Sequence, residues 1–143
     1  MPRPQTSTTS NRRPNRPRRH PGDLVAVAIG GLIGSALRAG VGLLLPTPSG
    51  GFPAGTLVVN LSGSFLLGLY LVRREQAATP RWSLPFWALG MLGSFTTFSA
   101  FSLEVTALVG DGHALTAAVY SAASTVGGLA AALLGQRVGS VLR

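Results

Sequence analysis

The sequence has no cysteine, no lysine and few charges of either sign after its first twenty residues. The lack of cysteine excludes disulfides, thiolate metal sites and a cysteine nucleophile. Six of the twelve arginines precede residue 20, which leaves six arginines and four acids in the 121 residues after position 22. A soluble domain normally carries charge on about a quarter or more of its surface residues. We therefore expect lipid to cover most of this chain.

What the sequence does have is a basic arm followed by four apolar stretches. Residues 1–22 are rich in Pro, Ser, Thr, Asn and Arg, a composition that predicts disorder. The apolar stretches run approximately over 23–45, 54–72, 84–109 and 114–134, each close to the ~20 residues that cross a bilayer. The first is longer than the core of a signal peptide and contains Arg38, which favours a retained helix. The pattern predicts an all-α membrane domain of four transmembrane helices over residues 23–143.

Small and polar residues recur every four positions in three of these stretches, the spacing that places side chains on one face of a helix. The rows are Gly30, Gly34, Arg38 and Gly42; Thr56, Asn60, Ser64 and Gly68; and Thr116, Tyr120, Ser124 and Gly128. Glycines at this spacing favour close packing of membrane helices. Amides and charges are costly among lipid tails and often mark a pathway, so Asn60, Arg38 and Glu104 are candidates for function.

The third stretch contains a cluster of weak helix formers, and two phenylalanines follow it. The cluster comprises Gly90, Gly93, Ser94, Thr96 and Thr97. It predicts a break near 93–97, which would free backbone carbonyls able to hold a cation. Phe98 and Phe101 share a helical face. They could pack as ordinary apolar side chains, or their positive ring edges could face an anion.

Four motifs resemble those of the small fluoride channels known as Fluc or CrcB. They are "GGLIGSALR" (30–38), "GTLVVNLSGSF" (55–65), "GMLGSFTTFSAFSLE" (90–104) and "YSAAS" (120–124), and the resemblance covers roughly residues 24–135. It implies four-helix subunits that pair antiparallel, with two fluoride pores at the dimer interface. It also implies a central structural sodium ion, held by carbonyls of a broken third helix.

The resemblance assigns roles to individual positions of this chain. It implies a fluoride pathway formed by Asn60, Phe98, Phe101, Ser99, Tyr120, Ser124 and Arg38, and sodium ligands in the backbone carbonyls of Gly93 and Thr96. Glu104 also lies inside the third motif. The chain departs from the family pattern at Ser94, where a glycine is usual, and at Ala100, where a threonine is usual. The loss of a hydroxyl at Ala100 affects the pore region and bears on whether this subunit alone makes two competent pores.

The residue types suit a passive fluoride-selective channel that exports fluoride across the plasma membrane. Fluoride is strongly hydrated, so amide and hydroxyl donors must replace its water, at sites weak enough to release it.

The alternative is a small proton-coupled drug exporter, with Glu104 as the proton carrier. An enzyme is disfavoured because His20 and His113 lie in the arm and a loop, and no second intramembrane carboxylate accompanies Glu104. The arm lacks the aromatics that stack on bases, so we expect no nucleic acid there; the arm either contacts anionic lipid headgroups or has no role.

Arginine placement predicts one orientation. With four helices, the arm, the connection at 73–83 and the C-terminal end share one side and hold eleven arginines, whereas the loops at 46–53 and 110–113 hold none. The positive-inside rule puts that side, and both termini, in the cytoplasm. An antiparallel partner would then be an oppositely oriented paralogous subunit, with a homodimer as the alternative.

Overall fold

The computed structural model describes residues 20–142, which are helical apart from short connections. Helix α1 spans Pro21–Leu44 and α2 spans Ala54–Gln76. The third span consists of two helices: α3, which comprises Pro85–Leu92 and its continuation Gly93–Phe95, and α4, which spans Phe98–Gly110. Helix α5 spans Ala114–Val141. Four helical spans are long and apolar enough to cross a membrane, as predicted. The chain is a multi-pass, all-helical membrane protein.

Helix α1 packs on α3 through glycines that bring the two backbones together. A Cβ at Gly30 or Gly34 would collide with the backbone of Phe86 or Met91, and one at Gly90 would lie 2.6 Å from Val27 O. These collisions explain why side chains are missing there, as the close-packing prediction requires. Gly42 differs from the others in its row, because nothing lies within 4 Å of a Cβ built on it.

Helix α2 packs on α5 in the same way, so the fold contains two glycine-mediated helix pairs. A Cβ at Gly68 would meet the carbonyl of Ala132, and one at Gly135 would meet the carbonyl of Phe65. Helix α4 packs against α5, whereas α2 and α3 make little contact with each other. The space between α2 and α3 is where the cavities described below lie.

Helices α2 and α5 end later in the sequence than the apolar stretches that predicted them. Helix α2 continues to Gln76 through Arg73 and Arg74, and α5 continues to Val141. Arginines in the last turn of α2 are compatible with helix geometry, and their positive charge interacts favourably with the C-terminal end of the helix dipole. Of the arm predicted at 1–22, residues 1–19 lie outside the described residues, whereas Pro21 and Gly22 form the first turn of α1.

Contacts between connections define two ends of the bundle. At the end we name the terminal side, Arg81 pairs with Asp23 at 3.4 Å and Arg73 Nη1 donates to Leu142 O at 3.0 Å. At the opposite end, named the loop side, a Cβ on Gly50 would collide with the His113 ring, and Gly50 has the positive φ of +70° that glycine tolerates.

Candidate functional site

The third span changes direction at two threonines. Thr96 (φ −73°, ψ 155°) and Thr97 (φ −147°, ψ 122°) have extended backbones between α3 and α4. Thr97 is the N-cap of α4, since its Oγ1 accepts from Ala100 N at 3.1 Å. Immediately before, Pro85–Leu92 has the wide turns of a π-helix, a form frequent at functional sites.

Asn60 of α2 supports this extended segment with a reciprocal pair of hydrogen bonds. Its Nδ2 donates to Thr97 O at 2.9 Å, and its Oδ1 accepts from Thr97 N at 2.8 Å. The side-chain amide therefore satisfies both backbone groups of a residue that is only 8% exposed. Because the amide nitrogen carries two hydrogens, one N–H is left beyond the bond to Thr97.

Hydrogen bonds to the Asn60 and Thr97 side chains use two backbone N–H groups that, in an unbroken helix, would donate to backbone carbonyls. In a continuous helix Gly93 O would accept from Thr97 N, and Thr96 O would accept from Ala100 N. Here Thr97 N donates to Asn60 Oδ1, and Ala100 N donates to Thr97 Oγ1. Both carbonyl oxygens thus keep lone pairs that helical hydrogen bonds would otherwise occupy.

A cavity of about 290 Å³ opens beside the extended segment, between α2 and α3. Asn60, Ser64, Thr96 and Thr97 supply its polar wall, and Phe98 lies at its edge. Phe98, the first residue of α4, is 80% exposed. The cavity therefore combines hydrogen-bonding groups with one aromatic ring.

From Phe98 a series of aromatic rings leads into the protein. The Phe98 and Phe101 centroids are 5.8 Å apart, Phe101 and Tyr120 are 5.3 Å apart, and Tyr120 meets Phe52 edge-on at 5.5 Å. Tyr120 is completely buried. The series connects the exposed phenylalanine on α4 to a tyrosine hydroxyl inside the helix bundle.

The carboxylate of Glu104 accepts hydrogen bonds from the Tyr120 hydroxyl and from one other hydroxyl. Tyr120 OH donates to Glu104 Oε2 at 2.6 Å, and Thr56 Oγ1 donates to Oε1 at 2.7 Å. Each carboxylate oxygen thus has a hydroxyl partner, which offsets part of the cost of placing an acid in a membrane. One turn after Tyr120, the buried Ser124 Oγ makes no hydrogen bond within the described part of the chain.

The structure brings most of the predicted pathway residues together, whereas Ser124 makes no hydrogen bond to them and Arg38 lies apart. Asn60 and Phe98 line the cavity, Phe101 and Tyr120 continue from it, and Ser99 Oγ lies 3.2 Å from Thr97 Oγ1. Arg38 lies on α1, which packs mainly on α3, and it is not among the residues that line the cavity. Its guanidinium makes no hydrogen bond or ion pair with any residue of 20–142.

Sequence reasoning missed the structural partners of two predicted residues. As a weak helix former Thr97 predicts only a break, although a threonine three residues before Ala100 at the start of a helical pattern is also an N-cap signal. Thr56 belongs to a four-residue repeat, which predicts only that it shares a helical face with Asn60. Nothing local in the sequence indicates that it faces Glu104, which is 48 positions away.

Comparison with known proteins connects this arrangement to one family. The family model described as CrcB-like protein, Camphor Resistance (CrcB), matches residues 25–136, a range that includes every element of the site. A protein of Streptomyces avermitilis named Fluoride-specific ion channel FluC 3 is 46% identical over 125 residues, 87% of this chain, which spans 61% of that relative's length.

Two shorter relatives are matched over most of their own length. Fluoride-specific ion channel FluC 2 of Geobacillus kaustophilus is 45% identical over 78% of this chain and 88% of the relative. Fluoride-specific ion channel FluC of Thermus thermophilus is 45% identical over 81% of this chain and 94% of the relative. With the family model covering most of the sequence, this chain belongs to the CrcB family.

Proposed function

We propose that this chain is a subunit of a fluoride-selective channel that lets fluoride leave the cytoplasm passively. The observation that carries the proposal is the cavity beside the extended segment, where the Asn60 amide and Phe98 meet. Its donors suit a strongly hydrated anion. The names of the relatives, fluoride-specific ion channels, point to the same ion.

The pathway in this proposal follows the groups that can donate weakly to an anion. Fluoride would meet the free N–H of Asn60 and the edges of the Phe98 and Phe101 rings, then the hydroxyls of Tyr120 and Ser124. Hydroxyls, amides and ring edges bind more weakly than cationic side chains, so an ion can both enter and leave. Ser99 supplies a further hydroxyl, and Arg38 would attract anions from outside the cavity.

The interruption at 96–97 would be the family's broken third helix, with a structural sodium ion beside it. Sodium prefers oxygen ligands, and the carbonyls of Gly93 and Thr96 have lost their helical donors to Asn60 and Thr97. In residues 20–142 no group of three or more His, Cys, Asp or Glu side chains could hold a metal, and the proposed site uses backbone carbonyls. The ion would supply positive charge where two subunits meet.

A single subunit leaves the pathway open on one side, which supports pairing. Phe98 is 80% exposed although it borders the cavity, and a second subunit could cover it. We propose an antiparallel dimer with an oppositely oriented paralogous subunit, since the arginine asymmetry opposes insertion of this chain in two orientations. Both termini would lie in the cytoplasm, and a homodimer is the alternative.

The drug-exporter alternative finds no support among the relatives, whose names specify fluoride channels. In addition, both carboxylate oxygens of Glu104 accept hydrogen bonds from hydroxyls. These contacts give the carboxylate a structural role, so its presence in the membrane does not require a role in proton transfer. That the protein has no catalytic activity and binds no nucleic acid stays a prediction.

The proposal is tested by ion efflux from liposomes. Purified protein, together with the oppositely oriented paralogue that the proposed dimer requires, is reconstituted into vesicles loaded with potassium fluoride or potassium chloride. Rapid release of fluoride with retention of chloride after addition of a potassium ionophore is expected. Equal release of both ions, or of neither, would contradict a fluoride-selective channel.

A further inference from the structure

A second groove lies between α2 and α3 at the terminal side and plays no part in the proposed pathway. We name it the Arg73 groove; it has a volume of about 460 Å³, and Leu66, Leu69, Tyr70, Arg73, Trp87 and Leu142 are among its walls. On α2, its residues point about 120° away from those of the first cavity, at 100° per residue. The two cavities therefore lie on different faces of α2, and Leu92 of α3 borders both.

The Arg73 groove is polar at one end and apolar along its length. Arg73 lies in the last turn of α2, and Leu66 lies seven residues deeper, which corresponds to about 10 Å of helix. Trp87 is near the start of α3 and 40% exposed, as expected for a tryptophan at the membrane interface. A groove with one cationic end and an apolar length is complementary to an amphipathic molecule that carries an anionic end.

The cation at the polar end is held in place and has donors to spare. Arg73 Nη1 donates to Leu142 O at 3.0 Å, which fixes the guanidinium beside the end of α5. Within residues 20–142 its other N–H groups make no hydrogen bond. A guanidinium with free parallel donors binds phosphate well. Tyr70 OH bonds to Ser83 Oγ at 2.8 Å and fixes the opposite rim.

The charges around this end favour an anionic occupant. Arg74 lies in the last turn of α2 and Arg137 lies just before the last turn of α5, whereas Glu75 is on another face of α2 from Arg73. Arg81 and Asp23 offset each other as an ion pair. We propose that the Arg73 groove binds an anionic phospholipid, with the phosphate on Arg73. The like-charged arginines of the arm make that segment an unsuitable occupant.

Tryptophan quenching by brominated lipid tests this proposal directly, because the chain has only two tryptophans. In Trp82→Phe protein, Trp87 reports on the groove. Vesicles of phosphatidylcholine contain a small fraction of either brominated phosphatidylglycerol or brominated phosphatidylcholine. We expect phosphatidylglycerol to associate roughly fivefold more strongly, about the factor that one arginine near a membrane surface contributes.

Variants separate the groove from general surface charge. Arg73→Gln should abolish the preference at Trp87, and Arg73→Lys should keep part of it. Arg81→Gln removes the same charge outside the groove and should leave the preference unchanged. In Trp87→Phe protein the remaining Trp82, which does not line the groove, should show no response to Arg73→Gln.

Three outcomes would overturn the proposal. Equal quenching by both lipids, unaffected by Arg73→Gln, would mean ordinary contact with bulk lipid. Protection of Trp87 from both lipids would mean that a second copy of the chain covers the groove. Loss of the preference on adding inorganic phosphate, compared with sodium chloride of equal ionic strength, would assign the site to a soluble anion.

Discussion

Asn60 has two possible roles, as a donor to the ion and as the support of the extended segment. Its amide bonds both backbone groups of Thr97, so Asn60→Ala would leave a buried N–H and C=O without partners. Each such group costs about 1–3 kcal/mol. We therefore predict that Asn60→Ala lowers the thermal unfolding temperature by several degrees and also removes most fluoride efflux.

The control for this variant is Ser62→Ala, since Ser62 bonds only carbonyls of its own helix. It should leave both the unfolding temperature and the efflux unchanged. Normal flux in folded Asn60→Ala protein would remove Asn60 from the pathway. Lost flux with unchanged stability would leave it a donor to the ion but not a support of the break.

Unlike Asn60, Phe98 is a side chain that we expect to contribute little to the stability of its own subunit. Because it is 80% exposed, Phe98→Ile should leave the unfolding temperature of the subunit nearly unchanged. It removes the positive ring edge from the cavity, so we predict a large loss of fluoride efflux. Leu103→Ile, at a site on the same helix that is 72% exposed, is the matched control and should conduct normally.

At the scale of elements, glycine contacts hold the helix pairs together. A methyl at Gly34 would collide with the Met91 carbonyl of α3, which cannot move as a flexible side chain could. We predict that Gly34→Ala destabilises the α1–α3 pair by about 1–3 kcal/mol, a typical cost of overpacking. Gly42→Ala, where nothing lies within 4 Å, should be tolerated. Thermal unfolding in detergent compares the two, and equal stability of both would refute the packing argument.

The interruption between α3 and α4 makes a second prediction at this scale. If the carbonyls of Gly93 and Thr96 hold sodium, replacing sodium by N-methylglucamine at constant ionic strength should lower fluoride efflux or thermal stability. The reason is that carbonyl oxygens brought together without a cation repel one another. Insensitivity of both measurements to the exchange would mean that the carbonyls are satisfied in another way.

For the whole molecule, the arginine asymmetry predicts a single orientation. The chain has no cysteine, so one introduced cysteine reports on one position without background. Ser49→Cys and Ala78→Cys occupy exposed positions in the connections on the loop side and the terminal side. We predict that an impermeant maleimide labels Ser49→Cys in intact cells and Ala78→Cys only after permeabilisation.

A functional measurement complements the labelling. This chain expressed alone should give little fluoride efflux, and co-expression of an oppositely oriented paralogue should restore it. Equal labelling of both cysteines in intact cells, or full efflux by this chain alone, would favour the homodimer instead.

Local properties of the sequence determined the four spans and the expected sidedness. Length, hydrophobicity and arginine count act on each segment separately, so they can be read without knowing how helices pack. The weak helix formers at 93–97 include Thr96 and Thr97, whose backbones are extended, and the resemblance to the family suggested the pathway roles that we propose for Asn60, Phe98 and Tyr120. The exact helix ends could not be predicted from hydrophobicity, because Arg73 and Arg74 continue α2 beyond its apolar stretch.

Only the tertiary structure decided which polar groups meet. Asn60 reaches Thr97 across 37 positions and Thr56 reaches Glu104 across 48, and both contacts depend on the rotation and depth of α2 against the third span. The same dependence separates Gly34, where an added Cβ would collide with α3, from Gly42, where an added Cβ would have no neighbouring element within 4 Å, although both lie in one four-residue row. A repeat in the sequence places residues on one helical face, but the crossing of two helices determines how much of that face is covered.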